Sequence, residues 1–165
     1  MTRQLTILTA IVATCLAIVA IPARAETPRV KVVGVTVEKT KGNREPARRH
    51  EECANNFENA HWCSTQEYLD GGMAIPADEK LNIAWIRPTI VSTVHTPNYG
   101  LVYVDASGLV AIPNTLNCRQ WSSNDRNHRG TVLQKREGDD RQIVTIRQCS
   151  EELRTLCCAP VIDDF

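Results

Sequence analysis

The chain has 165 residues, which suits one globular domain, and its 19 basic residues balance its 19 acidic ones. This balance lacks the broad positive field of a nucleic-acid-binding protein, so we expect no nucleic-acid partner. Aromatic residues make up only 5% of the chain, which predicts a lean core that needs cross-links.

The first 25 residues have the pattern of a cleavable export signal. Arg3 precedes an apolar run over 5–21, and Ala23 and Ala25 form the small-x-small site that signal peptidase accepts, so we expect cleavage after Ala25. The run is short for a span of the bilayer, and we expect no stable membrane span after cleavage. Cys15 would leave with the signal, with lipid attachment at Cys15 as the alternative. The protein is therefore expected to be periplasmic or secreted.

Residues 26–50 differ in composition from the rest of the chain. Residues 30–37 (VKVVGVTV) could form one strand. The stretch 39–50 that follows is basic, contains glycine and proline, and has almost no apolar residue. Such a segment cannot bury itself, so we expect 26–50 to be a flexible basic stem. A basic tether to anionic envelope surfaces is the alternative.

The compact domain is expected over 51–165, beginning with two short helices. Apolar residues at roughly helical spacing favour a helix over 51–60. The sequence STQE over 64–67 is a capping box, which predicts the start of a second helix. The glycine pair at 71–72 ends that helix after barely two turns.

Strand patterns dominate the second half of the chain. Residues 83–86 and 90–95 are rich in β-branched and aromatic residues. Two hairpins are predicted, one pairing 101–104 with 109–112 and the other pairing 131–134 with 142–146. Two small helices followed by strands indicate an α+β fold with an antiparallel, hairpin-rich sheet.

Six cysteines remain after the signal, and an even number in an oxidising compartment predicts disulfides. They are Cys53, Cys63, Cys118, Cys149, Cys157 and Cys158. Neighbouring side chains of a strand point to opposite faces, so the adjacent Cys157 and Cys158 should reach two different partners. We expect Cys118 to pair with Cys149, and Cys53 and Cys63 to pair with the C-terminal cysteines in either order. Disulfide sulfurs have no thiolate for catalysis, and zinc-type ligand spacing is missing.

A set of landmarks follows in order along residues 51–160. They are the segment CSTQEY at 63–68, Trp85, the segment CRQWSSN at 118–124, Gly130, Cys149 and the segment CCAP at 157–160. This order resembles the C-type-lectin-like and endostatin-like group of secreted domains. It is also similar to bacterial exported proteins of no known activity. The resemblance implies a lectin-like fold and calcium-dependent sugar binding.

The calcium ligands that this resemblance implies are incomplete in the sequence. Asn114 follows Ile112 and Pro113, so an isoleucine stands where the lectin pattern has a carboxylate or amide. Asn124 and Asp125 lie two positions beyond the place of the post-tryptophan pair. Calcium prefers six to eight oxygen ligands. We therefore expect no cofactor, with calcium as the alternative.

A polar loop before Gly130 is the strongest candidate for ligand recognition, because binding groups concentrate on loops held by a rigid scaffold. The candidate ligand-binding residues are Asn114, Asn124, Asp125, Asn127 and His128. His61 and the three tryptophans are expected to pack in the core. No catalytic residue is assigned, since the sequence has no Gly-x-Ser-x-Gly elbow or His-Glu-x-x-His motif.

The sequence therefore predicts an exported, non-enzymatic binding module whose ligand is a glycan or a protein in the envelope or outside the cell. Two alternatives remain open. One is an exported hydrolase that uses His128 or His95 with a nearby carboxylate, and the other is a purely structural envelope protein.

Overall fold

A computed structural model describes residues 29–75, 82–98, 100–112, 115–136 and 141–162. The predicted export signal, Asn114 and the tip of the second hairpin lie outside these residues. Over the ranges given, no helix combines the length and the apolar character that a membrane span requires.

The described chain is mostly β-strand with a few short helices, as expected for an α+β fold. In chain order the elements are β1 (Val30–Val35), α1 (Pro46–Asn56), β2 (His61–Trp62), α2 (Thr65–Asp70), β3 (Ile83–Trp85), β4 (Ile90–Thr96), β5 (Gly100–Asp105), β6 (Val110–Ala111), α3 (Cys118–Trp121), β7 (Arg129–Lys135), β8 (Gln142–Gln148) and β9 (Arg154–Pro160). The strand considered for 30–37 is present as β1 before the first helix, whereas the prediction of two helices followed only by strands was incomplete, because α3 interrupts the strands.

Two sheets organise these strands. The larger has the order β1-β9-β3-β7-β8, with β2 also paired to β9, and the smaller has the order β4-β5-β6. All pairs are antiparallel except β3 with β9, which run parallel, so the main sheet is mixed rather than purely antiparallel. Strand β9 pairs with three other strands, β1, β2 and β3, and its residues 155–159 are all buried.

The three disulfides join the expected cysteines: Cys53–Cys157, Cys63–Cys158 and Cys118–Cys149. The two adjacent cysteines of β9 belong to two different core clusters. Cys157 packs with the tryptophans on one side of the strand, and Cys158 packs with Tyr68 and Leu156 on the other. The alternation of side chains along a strand thus assigns each cysteine its own partner.

The local patterns of the domain are also confirmed. Helix α2 begins with the capping box, in which the Glu67 amide donates to the Ser64 hydroxyl at 3.2 Å and the Ser64 amide donates to the Glu67 carboxylate at 2.7 Å. Both hairpins form, as β5 pairs with β6 and β7 pairs with β8.

The expectation of a solvated stem over 26–50 is wrong for the described residues 29–50. Strand β1 pairs with β9, and α1 begins at Pro46, five residues before the predicted helix, and ends at Asn56. Proline is favoured at the first helical position because its missing N–H would have no helical partner there. The basic residue Arg49 is fully buried. The basic composition suggested a solvated segment. Composition alone does not show that distant polar groups enclose the Arg49 side chain.

Candidate ligand-binding loop

Residues 118–121 form one turn of left-handed helix, the most unusual backbone feature of the described chain. Their φ angles are 46°, 54°, 60° and 60°. The Trp121 amide donates to the Asn117 carbonyl at 2.5 Å, and the Ser122 amide donates to the Cys118 carbonyl at 3.2 Å. A left-handed residue that is not glycine costs roughly 1–2 kcal/mol. Four in succession require strong support from their surroundings.

The support comes from both ends of the turn. Cys118 is bonded to Cys149, and Trp121 packs edge-on against Trp62 and Trp85 with ring centroids 4.6 and 5.8 Å away. The Asn117 side chain accepts a hydrogen bond from the amide of residue 120 at 3.1 Å. These contacts fix the first and last residues of the turn in the core.

Two glycines allow the chain to approach this disulfide. A Cβ on Gly130 would lie 2.6 Å from the Cys118 sulfur and 3.0 Å from the Trp85 ring. A Cβ on Gly42 would clash with the same sulfur and with Cys149. The close packing of these backbones on the disulfide leaves no room for a side chain at either position.

The two central residues of the turn, Arg119 and Gln120, are exposed. Together with Ser122 and Ser123 they line an open cleft of about 390 Å³. The left-handed conformation buries the outer residues of the turn while it presents a guanidinium, an amide and two hydroxyl groups to solvent. These groups are hydrogen-bonding groups suited to a polar ligand.

The structure brings four of the five predicted binding residues into the loop that follows this turn. Asn124, Asp125 and Asn127 are exposed, and His128 is partly buried. Ser123 Oγ lies 2.6 Å from His128 Nδ1 and accepts a hydrogen bond from the Asp125 amide at 3.1 Å. The Asp125 carboxylate accepts a hydrogen bond from the backbone amide of Asn127 at 2.8 Å. These bonds within the loop give it a defined conformation.

A second cleft includes Asn124 of this loop. It is lined by Thr40, Lys41, Asn43, Arg44, Asn124 and Glu152. Lys41 is 3.8 Å from the Glu152 carboxylate, and Arg44 pairs with Glu52. The segment expected to be a flexible stem therefore forms one wall of the candidate site, which sequence reasoning missed.

Arg49 lies in a box of three tryptophans beneath the loop. Its guanidinium carbon is 5.2, 5.6 and 5.1 Å from the ring centroids of Trp62, Trp85 and Trp121. Burial lowers the pKa of Arg49 to about 9, partly offset by the nearby Glu52, so the guanidinium stays charged at neutral pH. Cation–π contacts of this kind gain strength when water is excluded. All three rings are buried, as expected for the packing centre, so none can serve as a platform for a sugar.

Another cluster of titratable side chains surrounds β2. His61 Nε2 lies 2.8 Å from Glu67, and His50 Nδ1 accepts a hydrogen bond from the Trp62 amide at 3.2 Å. Burial, together with Arg87 and His61, lowers the pKa of His50. Burial alone would raise the pKa of Glu67, but hydrogen bonds from the backbone and side chain of Ser64 and from His61 hold it below its ordinary value. Each of these groups has a structural partner.

The smaller sheet presents a different kind of surface. Its apolar side chains Ile90, Val91, Val94, Leu101, Val110 and Ile112 are between 42% and 59% exposed. His95, one of the two histidines of the hydrolase alternative, also lies exposed on β4. Because neighbouring residues of a strand point to opposite faces, these side chains are divided between the two faces of the sheet. It is separate in character from the polar loop that contains His128.

Metal-ligating side chains do not gather in the described part of the chain. There, no group of three His, Cys, Asp or Glu side chains is arranged to hold a metal ion. Asn114, which belongs to the ligand set that the lectin resemblance implies, lies outside the described residues.

No family model, curated protein or solved structure matches this chain. The structure defines the class as a disulfide-stapled α+β domain in which a strained polar loop stands above an aromatic core. The lectin-like assignment stays a prediction.

Proposed function

We propose that this protein is an exported, non-enzymatic binding module that recognises a glycan or another envelope component through residues 119–128. The observation that supports this most directly is the left-handed turn at 118–121. Strained backbone persists only where its surroundings enforce it, and such strain is concentrated at binding and catalytic sites. Here the strained backbone belongs to an exposed polar loop, and its conformation is maintained by a disulfide and by the packing of tryptophan rings.

The chemistry of the loop favours a hydroxyl-rich ligand. Its exposed side chains carry amide, guanidinium and hydroxyl groups, which can donate to and accept from sugar hydroxyls. Because the tryptophans are buried, recognition would proceed by hydrogen bonds rather than by ring stacking. The three disulfides are compatible with a periplasmic or extracellular location.

A glycan array probed with the oxidised protein beginning at residue 26 tests this proposal. The double variant Asn124→Ala/Asp125→Ala should keep the far-UV circular dichroism spectrum and lose the array signal. The matched control Asn55→Ala changes an exposed asparagine on α1 and should leave the signal unchanged. An array signal that survives the double substitution would contradict the proposal.

A second candidate function is supported by the contact between Ser123 and His128. A hydroxyl 2.6 Å from an imidazole nitrogen has the separation of a nucleophile and its general base. A hydrolase would use this pair in the cleft beside Arg119. Covalent labelling by a fluorophosphonate probe that disappears in Ser123→Ala would favour the hydrolase. Absence of labelling would favour binding without catalysis. A purely structural protein would respond in neither assay.

A further inference from the structure

We infer that the ligand is an anionic polysaccharide and that Arg119 binds its carboxylate or sulfate groups. This inference rests on the proposed function, because it specifies the ligand class of the same loop. It departs from a neutral sugar ligand, for which hydrogen-bonding groups alone would suffice.

The charge of the loop is the first observation. Basic and acidic residues balance over the chain, at 19 each. Between residues 117 and 129, however, Arg119, Arg126 and Arg129 accompany one acidic residue, Asp125. The Asp125 carboxylate accepts the Asn127 amide within the loop. A local excess of positive charge on a balanced chain attracts anionic ligands to that surface.

The presentation of Arg119 is the second observation. It occupies an exposed position on the left-handed turn, and its side chain lines the cleft beside Gln120, Ser122 and Ser123. The ion pairs found among the described residues engage Arg44, Arg48 and Arg87 but not Arg119. Its backbone carbonyl accepts from the Ser122 hydroxyl at 2.5 Å, which helps to fix its position. A planar guanidinium exposed on a fixed backbone matches the two oxygens of a carboxylate or sulfate group.

The backbone conformation of Arg119 makes a clean test possible. Asparagine tolerates left-handed φ angles better than arginine does, so Arg119→Asn removes the charge without adding strain. Arg119→Lys keeps the charge but loses the forked geometry. Arg136→Asn is the matched control. It removes an exposed arginine beyond the far end of β7, about 20 Å along the strand from the loop at 3.3 Å per residue.

The experiment measures binding of the oxidised protein to immobilised polygalacturonate, dextran sulfate and neutral dextran. We expect binding to one or both anionic polymers and none to dextran. Arg119→Asn should weaken the affinity about tenfold at low salt, the size of one charge-assisted contact, and Arg119→Lys should weaken it less. The control should bind as the parent does, and all variants should unfold at the same denaturant concentration within error. Preference for one anionic polymer identifies carboxylate or sulfate as the group recognised.

Two results would overturn the inference. One is equal binding to dextran and the anionic polymers that Arg119→Asn leaves unchanged. If Asn124→Ala/Asp125→Ala abolishes that same binding, the proposed function stands and only the anionic ligand class fails. The other is equal weakening by Arg119→Asn and Arg136→Asn, which would show nonspecific attraction to a polyanion.

Discussion

Replacing the buried Arg49 by methionine should cost the domain a large part of its stability. The guanidinium donates hydrogen bonds to four acceptors of the surrounding structure. They are the Thr155 hydroxyl at 2.8 Å, the Lys41 carbonyl at 2.8 Å, the Thr40 hydroxyl at 3.1 Å and the Arg44 carbonyl at 3.3 Å. Methionine fills similar space but donates to none of them.

The expected loss is about 3 kcal/mol in the free energy of unfolding. A buried polar group that loses its partner costs roughly 1–3 kcal/mol. The largest cost is expected at the Thr155 hydroxyl, because Thr155 is fully buried, whereas Thr40 is only partly buried. The lost cation–π contacts add to the cost. Part of it is offset because the variant no longer has to bury a charge.

Urea unfolding of the oxidised protein, followed by tryptophan fluorescence, measures this loss directly because all three indoles surround Arg49. Arg48→Met on the same helix is the control. The Arg48 side chain is 62% exposed and pairs with Glu51, so its loss should change stability by less than about 0.5 kcal/mol. A loss below about 1 kcal/mol for Arg49→Met would refute the view that this buried cation organises the core.

Three further predictions follow from contacts already described. Removing the Cys63–Cys158 disulfide in Cys63→Ala/Cys158→Ala should lower the free energy of unfolding by about 2–5 kcal/mol, and an unchanged urea midpoint would count against its structural role. Gly130→Ala should destabilise by about 1–3 kcal/mol through overpacking on the Cys118 sulfur, and a neutral result in the same assay would contradict that crowding. Because the pKa of His50 is lowered in the folded state, its contribution is full above pH about 6.5 and is lost as pH falls through 6.5 toward the folded pKa. His50→Gln should flatten this part of a stability–pH profile, and an unaltered slope would show that His50 does not titrate as described.

Local patterns and covalent chemistry explain what the sequence could predict. The capping box at Ser64 and the two hairpins depend on short-range signals, and all three form. The rule that neighbouring strand residues face opposite sides predicted different partners for Cys157 and Cys158, but it left open which of Cys53 and Cys63 each would reach. The polar loop around His128 was recognisable from its composition before its conformation was known.

Long-range contacts explain what the sequence could not predict. Arg49 is enclosed partly by Thr155, which lies 106 residues away, so its basic surroundings in the chain suggested solvent instead. Helix α1 consequently begins earlier than its own pattern indicates. The left-handed turn could not be predicted either, because Cys118 and Trp121 are held by contacts with residues distant in the chain, namely Cys149, Trp62 and Trp85.

The binding site itself can be mapped by the amide chemical shifts of the isotope-labelled, oxidised protein titrated with oligogalacturonate. Our account predicts shift changes confined to residues 119–129 and the adjoining wall at 40–44. Changes centred on the apolar strands β4 to β6, with the loop unaffected, would contradict it.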